Sequence, residues 1–165
     1  MKFTRLIESN TKTIEIVGKI DPSDIKEITL LSVEEAKRVP KNILATVEWW
    51  WLRDPGEYPN LAADVIFGGS IKSGGIDVER SYIAVRPALR IKNINSYKLK
   101  IGDIVECFGR TWYYVGDDLI LSRGRIRKHC FNCDYNKPNA NKFEGSDIQK
   151  YLQDWLKRKL NEYKK

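Results

Sequence analysis

Three consecutive tryptophans, Trp49, Trp50 and Trp51, open a stretch that continues through Leu52-Arg53-Asp54-Pro55-Gly56 and closes on Val85-Arg86-Pro87-Ala88-Leu89-Arg90-Ile91. Between these ends lie short β-type runs at residues 62–67, 76–78 and 82–85, cut by Gly68-Gly69-Ser70 and Ser73-Gly74-Gly75. Apolar and β-branched runs between Gly/Ser turn signals predict a sheet with tight connections. The indoles supply core area that a glycine-rich sheet otherwise lacks. Together these features predict a compact β-rich unit built on an aromatic anchor.

The combination of WWWLRDPG, Ala62-Ala63 with Val65, paired glycines and VRPAL resembles a bacterial and phage domain family. The family signature reads approximately WWLRSPG, AA-x-V, a G-x-V step and GVRPAL. The resemblance implies an α+β, C-type-lectin-like fold with antiparallel sheets and two flanking helices, related to formylglycine-generating-enzyme-like domains and to the variable proteins of diversity-generating retroelements. It assigns a structural part to Trp49, Trp50, Trp51, Arg53, Pro55, Gly56, Arg86 and Pro87. Ala84 stands where the family has glycine, a departure that bears on one local turn. GDIVECFGRTWYYV and FEGSDIQKYLQDWL resemble a hairpin and a helix of the same family, extending the likeness over residues 28–159. In many members these two pieces precede the tryptophan block; here they follow it.

At 165 residues, the length predicts one domain over 1–165. It divides into a lead-in and lectin-like core (1–91), a polar connector (92–100), and a hairpin with a C-terminal helix (101–165). No run reaches the length of a membrane span, and residues 1–5 lead into no apolar leader, so a cytoplasmic protein is expected (the host cytoplasm, if phage-encoded). The formal charge of +7, spread through both halves, favours an acidic partner, either a protein surface or nucleic acid. The competing reading is a well-solvated surface.

Along the chain, Thr13-Ile14-Glu15-Ile16-Val17 alternates as a strand does, and Ser32 with Glu35 has capping-box spacing ahead of a short helix stopped by Pro40. Residues 104–108, 111–115 and 119–121 read as antiparallel hairpin strands with turns at Gly109-Arg110 and Gly116-Asp117-Asp118. Ser146, with Gln149 in the reciprocal position, predicts the start of the last helix. Its apolar face is Ile148, Tyr151, Leu152, Trp155, Leu156 and Leu160, and Lys157, Arg158 and Lys159 crowd its last turns.

Few constellations could carry chemistry. Three cysteines do not make a disulfide framework, which fits a reducing compartment. His129-Cys130-x-x-Cys133 offers thiolates at zinc-ligand spacing with Cys107 as a distant fourth ligand, against the alternative of reduced loop cysteines. His129 is the immediate neighbour of Cys130 and is poorly placed to act as its base. The glycine pairs lack the phosphate-loop pattern, and no carboxylate-rich calcium cage is present. Neither a cofactor nor catalysis is expected. The turn-facing residues Glu57, Tyr58, Asn60, Asp64, Phe67, Lys72, Asp77, Glu79, Arg80 and Tyr82 mix rings, amides and both charges, as adaptable recognition surfaces do. An ordinary hydrophilic sheet surface is the competing reading. The expectation is a non-enzymatic binding protein of phage or mobile-element origin that recognises a protein through the 57–82 surface. The alternative is a phage-type inhibitor of a host nucleic-acid-directed defence enzyme, binding nucleic acid through its basic surface.

Overall fold

The computed structural model describes residues 5–9 and 12–164; the expectation made of residues 1–4 lies outside the described residues. Two sheets carry the fold. The larger has seven strands in the order β1 (Arg5–Ser9), β2 (Lys12–Lys19), β9 (Ile104–Cys107), β10 (Arg110–Tyr114), β11 (Leu119–Ser122), β8 (Ala88–Ile91) and β3 (Ile25–Thr29). The smaller has five, in the order β12 (Arg127–Lys128), β7 (Ala84–Val85), β4 (Trp50–Pro55), β5 (Leu61–Ile66) and β6 (Ser70–Asp77). Among the described residues three α-helices, α1 (Val33–Lys37), α2 (Lys41–Leu44) and α3 (Asp147–Tyr163), complete an α+β architecture. Strands from both halves of the chain share the larger sheet, because β11 pairs with β8.

The sheets are not purely antiparallel as expected: β2 runs parallel to β9, and β4 runs parallel to β7. Both parallel contacts join strands that are distant in sequence, where no tight turn dictates direction. The second glycine cluster is also not a turn. Gly74 and Gly75 lie inside the continuous strand β6, opposite a register shift in β5. Gly75 has φ +87 and packs on the Ala62 backbone, leaving no room for a Cβ. Glu57 N–H donates to Gly74 O at 2.8 Å, closing the β4–β5 connection over the bulge.

The Ser32 capping box forms as predicted. The Ser32 hydroxyl accepts from Glu35 N–H at 3.0 Å, and the Glu35 carboxylate accepts from Ser32 N–H at 2.9 Å. At α3, Ser146 accepts from Gln149 N–H at 3.1 Å, but Gln149 Oε1 reaches one residue further back to Gly145 N–H. The helix runs on to Tyr163, so Lys157, Arg158 and Lys159 stand short of its last turn and do not serve the dipole there. The β9–β10 turn is Phe108-Gly109, not Gly109-Arg110, since Cys107 pairs with Arg110. Phe108 takes φ +57, costly for a bulky side chain, and its ring is held edge-on to Trp155 at 6.1 Å.

Two buried clusters form the core. Trp51, Trp112, Phe131, Ile148, Leu152 and Trp155 belong to the one beneath α3; Leu31, Ala36, Ile43, Leu44, Trp50 and Val65 belong to the one beside α1 and α2. The two-residue period of β4 explains the division, because successive side chains leave opposite faces. Removing either buried indole would cost about 3–5 kcal/mol. Among the described residues no helix is long and apolar enough to cross a membrane.

Candidate recognition surface

The β4–β5–β6 meander places the side chains of interest by register. Trp51 opposes Asp64, and Asp64 opposes Lys72; Trp50 opposes Val65, and Val65 opposes Ile71. Trp51, Asp64 and Lys72 therefore share one face. Hydrogen bonds fix the two inner indoles: Trp50 N–H donates to Leu44 O at 3.1 Å, and Trp51 N–H to His129 O at 2.8 Å. Trp49 departs from the anchoring part expected of all three tryptophans. It precedes β4, is 37% exposed, and has the Lys72 ammonium 6.0 Å from its ring centroid.

Trp49 lines a shallow depression of about 260 Å³ with Val47, Glu48, Tyr82 and Lys128. Val47 is 84% exposed and Tyr82 53%. Arg80 lies over the Tyr82 ring at 5.8 Å and donates to its hydroxyl at 2.7 Å, while a salt bridge to Asp77 at 3.1 Å anchors the guanidinium. Asp77 also accepts from the Asn60 amide at 3.4 Å. Glu48 holds Arg125 at 3.2 Å and Lys128 at 3.5 Å on the opposite rim. The result is a small apolar hollow with Lys72 over the Trp49 ring and Arg80 over the Tyr82 ring, the latter cation held by Asp77.

The ten residues expected on one surface thus separate. Asn60, Asp77, Arg80 and Tyr82 form a bonded chain, and Lys72 joins Trp49. Glu57 and Tyr58 sit at the β4–β5 connection, where Tyr58 O accepts from the Asn141 amide at 3.1 Å. Phe67 is exposed at the other end of β5, a six-residue strand spanning roughly 20 Å. Glu79 is half-buried, with Oε2 enclosed and unbonded.

Asp64 corrects the expectation outright. It is fully buried, and among the described residues neither carboxylate oxygen has a hydrogen-bond partner. It belongs to the middle of β5 and not to a turn, so strand alternation sends it inward beside Trp51. Burial raises its pKa from 3.8 to about 6, opposed by the positive charge of Lys72. Val47, Glu48 and Lys128 were not foreseen at this surface. The sequence signal for Val47 and Glu48 was their position immediately before Trp49; Lys128 arrives through the β7–β12 pairing.

The two arginines of the tryptophan and VRPAL motifs brace the backbone. Arg53 pairs with Glu35 and donates to Leu30 O at 2.8 Å. Arg86 is buried with no carboxylate partner among the described residues; it donates to Ser122 O at 2.6 Å and to Leu44 O at 3.5 Å, and lies over the Trp50 ring at 4.8 Å. Burial lowers its pKa to about 10. Pro55 ends β4, Gly56 packs on Gly74 O, and Pro87 joins β7 to β8.

The zinc expectation fits poorly. Cys130 and Cys133 bring their sulfurs within bonding distance of each other, and with His129 they supply three ligand atoms where a closed zinc site takes four. The ligand atoms of His129, Cys130 and Cys133 lie within 4.8 Å of one another, but Cys107 is not among them. Cys107 is buried in β9, where loss of solvent pushes its thiol up to about 12. His129 Nδ1 is 2.7 Å from Cys130 O, and its ring stacks on Tyr151 at 5.1 Å, occupying the imidazole structurally. No family model, curated protein or solved structure matches this chain.

Proposed function

We propose that this chain is a non-enzymatic recognition protein, C-type-lectin-like in fold and of phage or mobile-element origin, that binds a protein partner through the depression lined by Val47, Trp49 and Tyr82. The convergence of three exposed apolar side chains on one hollow, with Lys72 over one ring and Arg80 over another, carries this reading. Trp, Tyr and Arg dominate the energetics of protein interfaces, and contiguous exposed apolar surface on a folded chain marks an interaction site. The groups gathered here are rings and braced cations, suited to adhesion and not to proton or group transfer. The origin and the lectin-like fold rest on the sequence resemblance.

The test is capture from host lysate with the wild-type chain, Trp49→Ala and Tyr82→Ala as parallel baits. A protein retained by wild type and reduced at least tenfold by both variants, at unchanged Tm, supports the assignment. The same protein retained equally by all three refutes it. One observation favours the alternative of a nucleic-acid-directed inhibitor: Arg127 lies 5.5 Å from the Tyr151 ring centroid and Arg123 5.5 Å from that of Tyr113, pairing cations with rings as single-strand binders do. Retention that disappears with nuclease and falls steeply with added salt would select that reading.

A further inference from the structure

A second concave feature lies at the far end of β4 from Trp49. Strand β3 ends the seven-stranded sheet. Its inner edge pairs with β8, and among the described residues nothing bonds the main-chain groups of 26–29 that point away from β8. Immediately after β3 the edge is closed again, since Arg53 N–H donates to Leu31 O at 2.9 Å and the Arg53 guanidinium to Leu30 O. The open edge is therefore short and bounded.

Facing it across a groove of about 850 Å³ is α3. This helix buries Ile148, Leu152 and Trp155 in the core and turns a second stripe, Gln149, Gln153, Leu156 and Leu160, into the groove. With Ile28 and Phe143 the two leucines give an apolar floor. The cations and anions around it are mostly committed within the fold: Lys26 to Asp118 at 2.8 Å, Glu27 to Arg90 at 3.1 Å, Arg53 to Glu35, and Asp54 to Val33 N–H at 2.8 Å. Lys142 and Lys157 have no such partner among the described residues, against a single Glu144.

We propose that this groove takes an extended peptide of another protein as an added strand on β3, with alternate apolar side chains against Phe143, Leu156 and Leu160 and a carboxylate at Lys142 and Lys157. An unpaired strand edge selects an extended backbone, since only a strand satisfies its donors and acceptors in register. The volume falls in the range of sites that enclose small ligands, about 300–1,000 Å³. The open edge at 26–29 of β3 calls for a pairing segment of about four residues at roughly 3.4 Å each. The free lysines favour an acidic sequence. The interaction is separate from that of the Trp49 depression, so either can fail alone.

The probe is a displayed library of random heptapeptides panned on the full chain, with Lys157→Glu and Leu160→Glu, both at accessible helix positions, as counter-selections. The expected result is enrichment of sequences with apolar residues two apart and at least one Asp or Glu. A synthetic consensus peptide should lose at least tenfold in affinity against each variant, and at least tenfold when its alternate amides are N-methylated. Binding should also protect amides within 26–29 from hydrogen exchange. The proposal is overturned by no enrichment over the counter-selections, by binding indifferent to N-methylation, or by sedimentation showing that two copies of the chain already pair through this edge in a form broken by Leu160→Glu.

Discussion

Asp64→Asn isolates the energetic consequence of a buried carboxylate that nothing bonds. The carboxyl titrates at about 6 in the fold and at 3.8 when solvated. At about 1.4 kcal/mol per tenfold change in proton affinity, that gap is worth about 3 kcal/mol. Because the folded pKa is raised, the fold prefers the neutral acid. The penalty is absent below pH 3.8, grows as pH rises, and is fully developed above about pH 6. Asparagine keeps the shape and stays neutral throughout, so its own unpaired amide adds a constant cost across that range. Urea denaturation of both proteins at pH 4 and pH 7.5 should therefore show the wild type losing about 2–3 kcal/mol relative to the variant, a midpoint difference of about 1 M at an m-value near 2 kcal/mol/M. Parallel profiles would refute the reasoning, since they would mean that the carboxylate finds solvent or a partner in the folded state.

Glu35 titrates in the opposite sense: burial works against its charge, yet bonds from Arg53, Ser32 N–H and Arg90 hold it down at about 2. Its contribution is present above pH 4.5 and lost as pH falls through about 2, so Glu35→Gln should flatten acid unfolding and cost up to about 3 kcal/mol at pH 7 by chemical denaturation. Arg86→Met fills similar volume but removes the bond to the Ser122 carbonyl, while Leu44 O keeps the Trp50 N–H; a loss of about 1–3 kcal/mol is expected in urea, and a neutral result would show that water replaces the guanidinium. In thiol titration the native protein should show no reactive group without reductant and two after mild reduction, Cys130 and Cys133, with Cys107 reacting only on unfolding. Reaction of Cys107 in the native state would contradict its burial.

How much of this was legible in the sequence follows from the range of the interactions. The Ser32 capping box, the hairpins around β9, β10 and β11, and the buried face of α3 are set by residues within four or five positions of one another, and local pattern fixes them. The parallel pairing of β4 with β7 joins segments more than thirty residues apart and leaves no local trace. Glycine spacing misled for a physical reason: positive φ serves a bulge as readily as a turn, so Gly74-Gly75 read as a connection although it lies within a strand. Asp64 misled because charge argues for solvent, whereas its strand parity places it inside. The proposed surface was legible only in part. Tyr82, Arg80 and Lys72 were singled out by residue type; Val47 and Glu48 arrive as sequence neighbours of Trp49, whereas Lys128 reaches the hollow only through the β7–β12 pairing, which the sequence does not announce.

The tryptophan triplet connects these observations. Strand parity sends Trp51 into the core beneath α3 and Trp50 into the core beside α1 and α2, so β4 is buried on both faces and forms the wall between two cores. Trp49 has the parity of Trp51 but lies one residue before the strand, where the cover over that face has run out. Its ring is consequently exposed while its backbone is tied to two indoles that cannot move without opening a core. An aromatic on so fixed a backbone has only its two side-chain torsions to order when a partner covers it, at a cost of about 0.5–1.5 kcal/mol. Lys72 and Arg80, already stacked on Trp49 and Tyr82 in the free protein, reduce the ordering cost further. The indole that the fold does not need for its core is thus the one best prepared to bind.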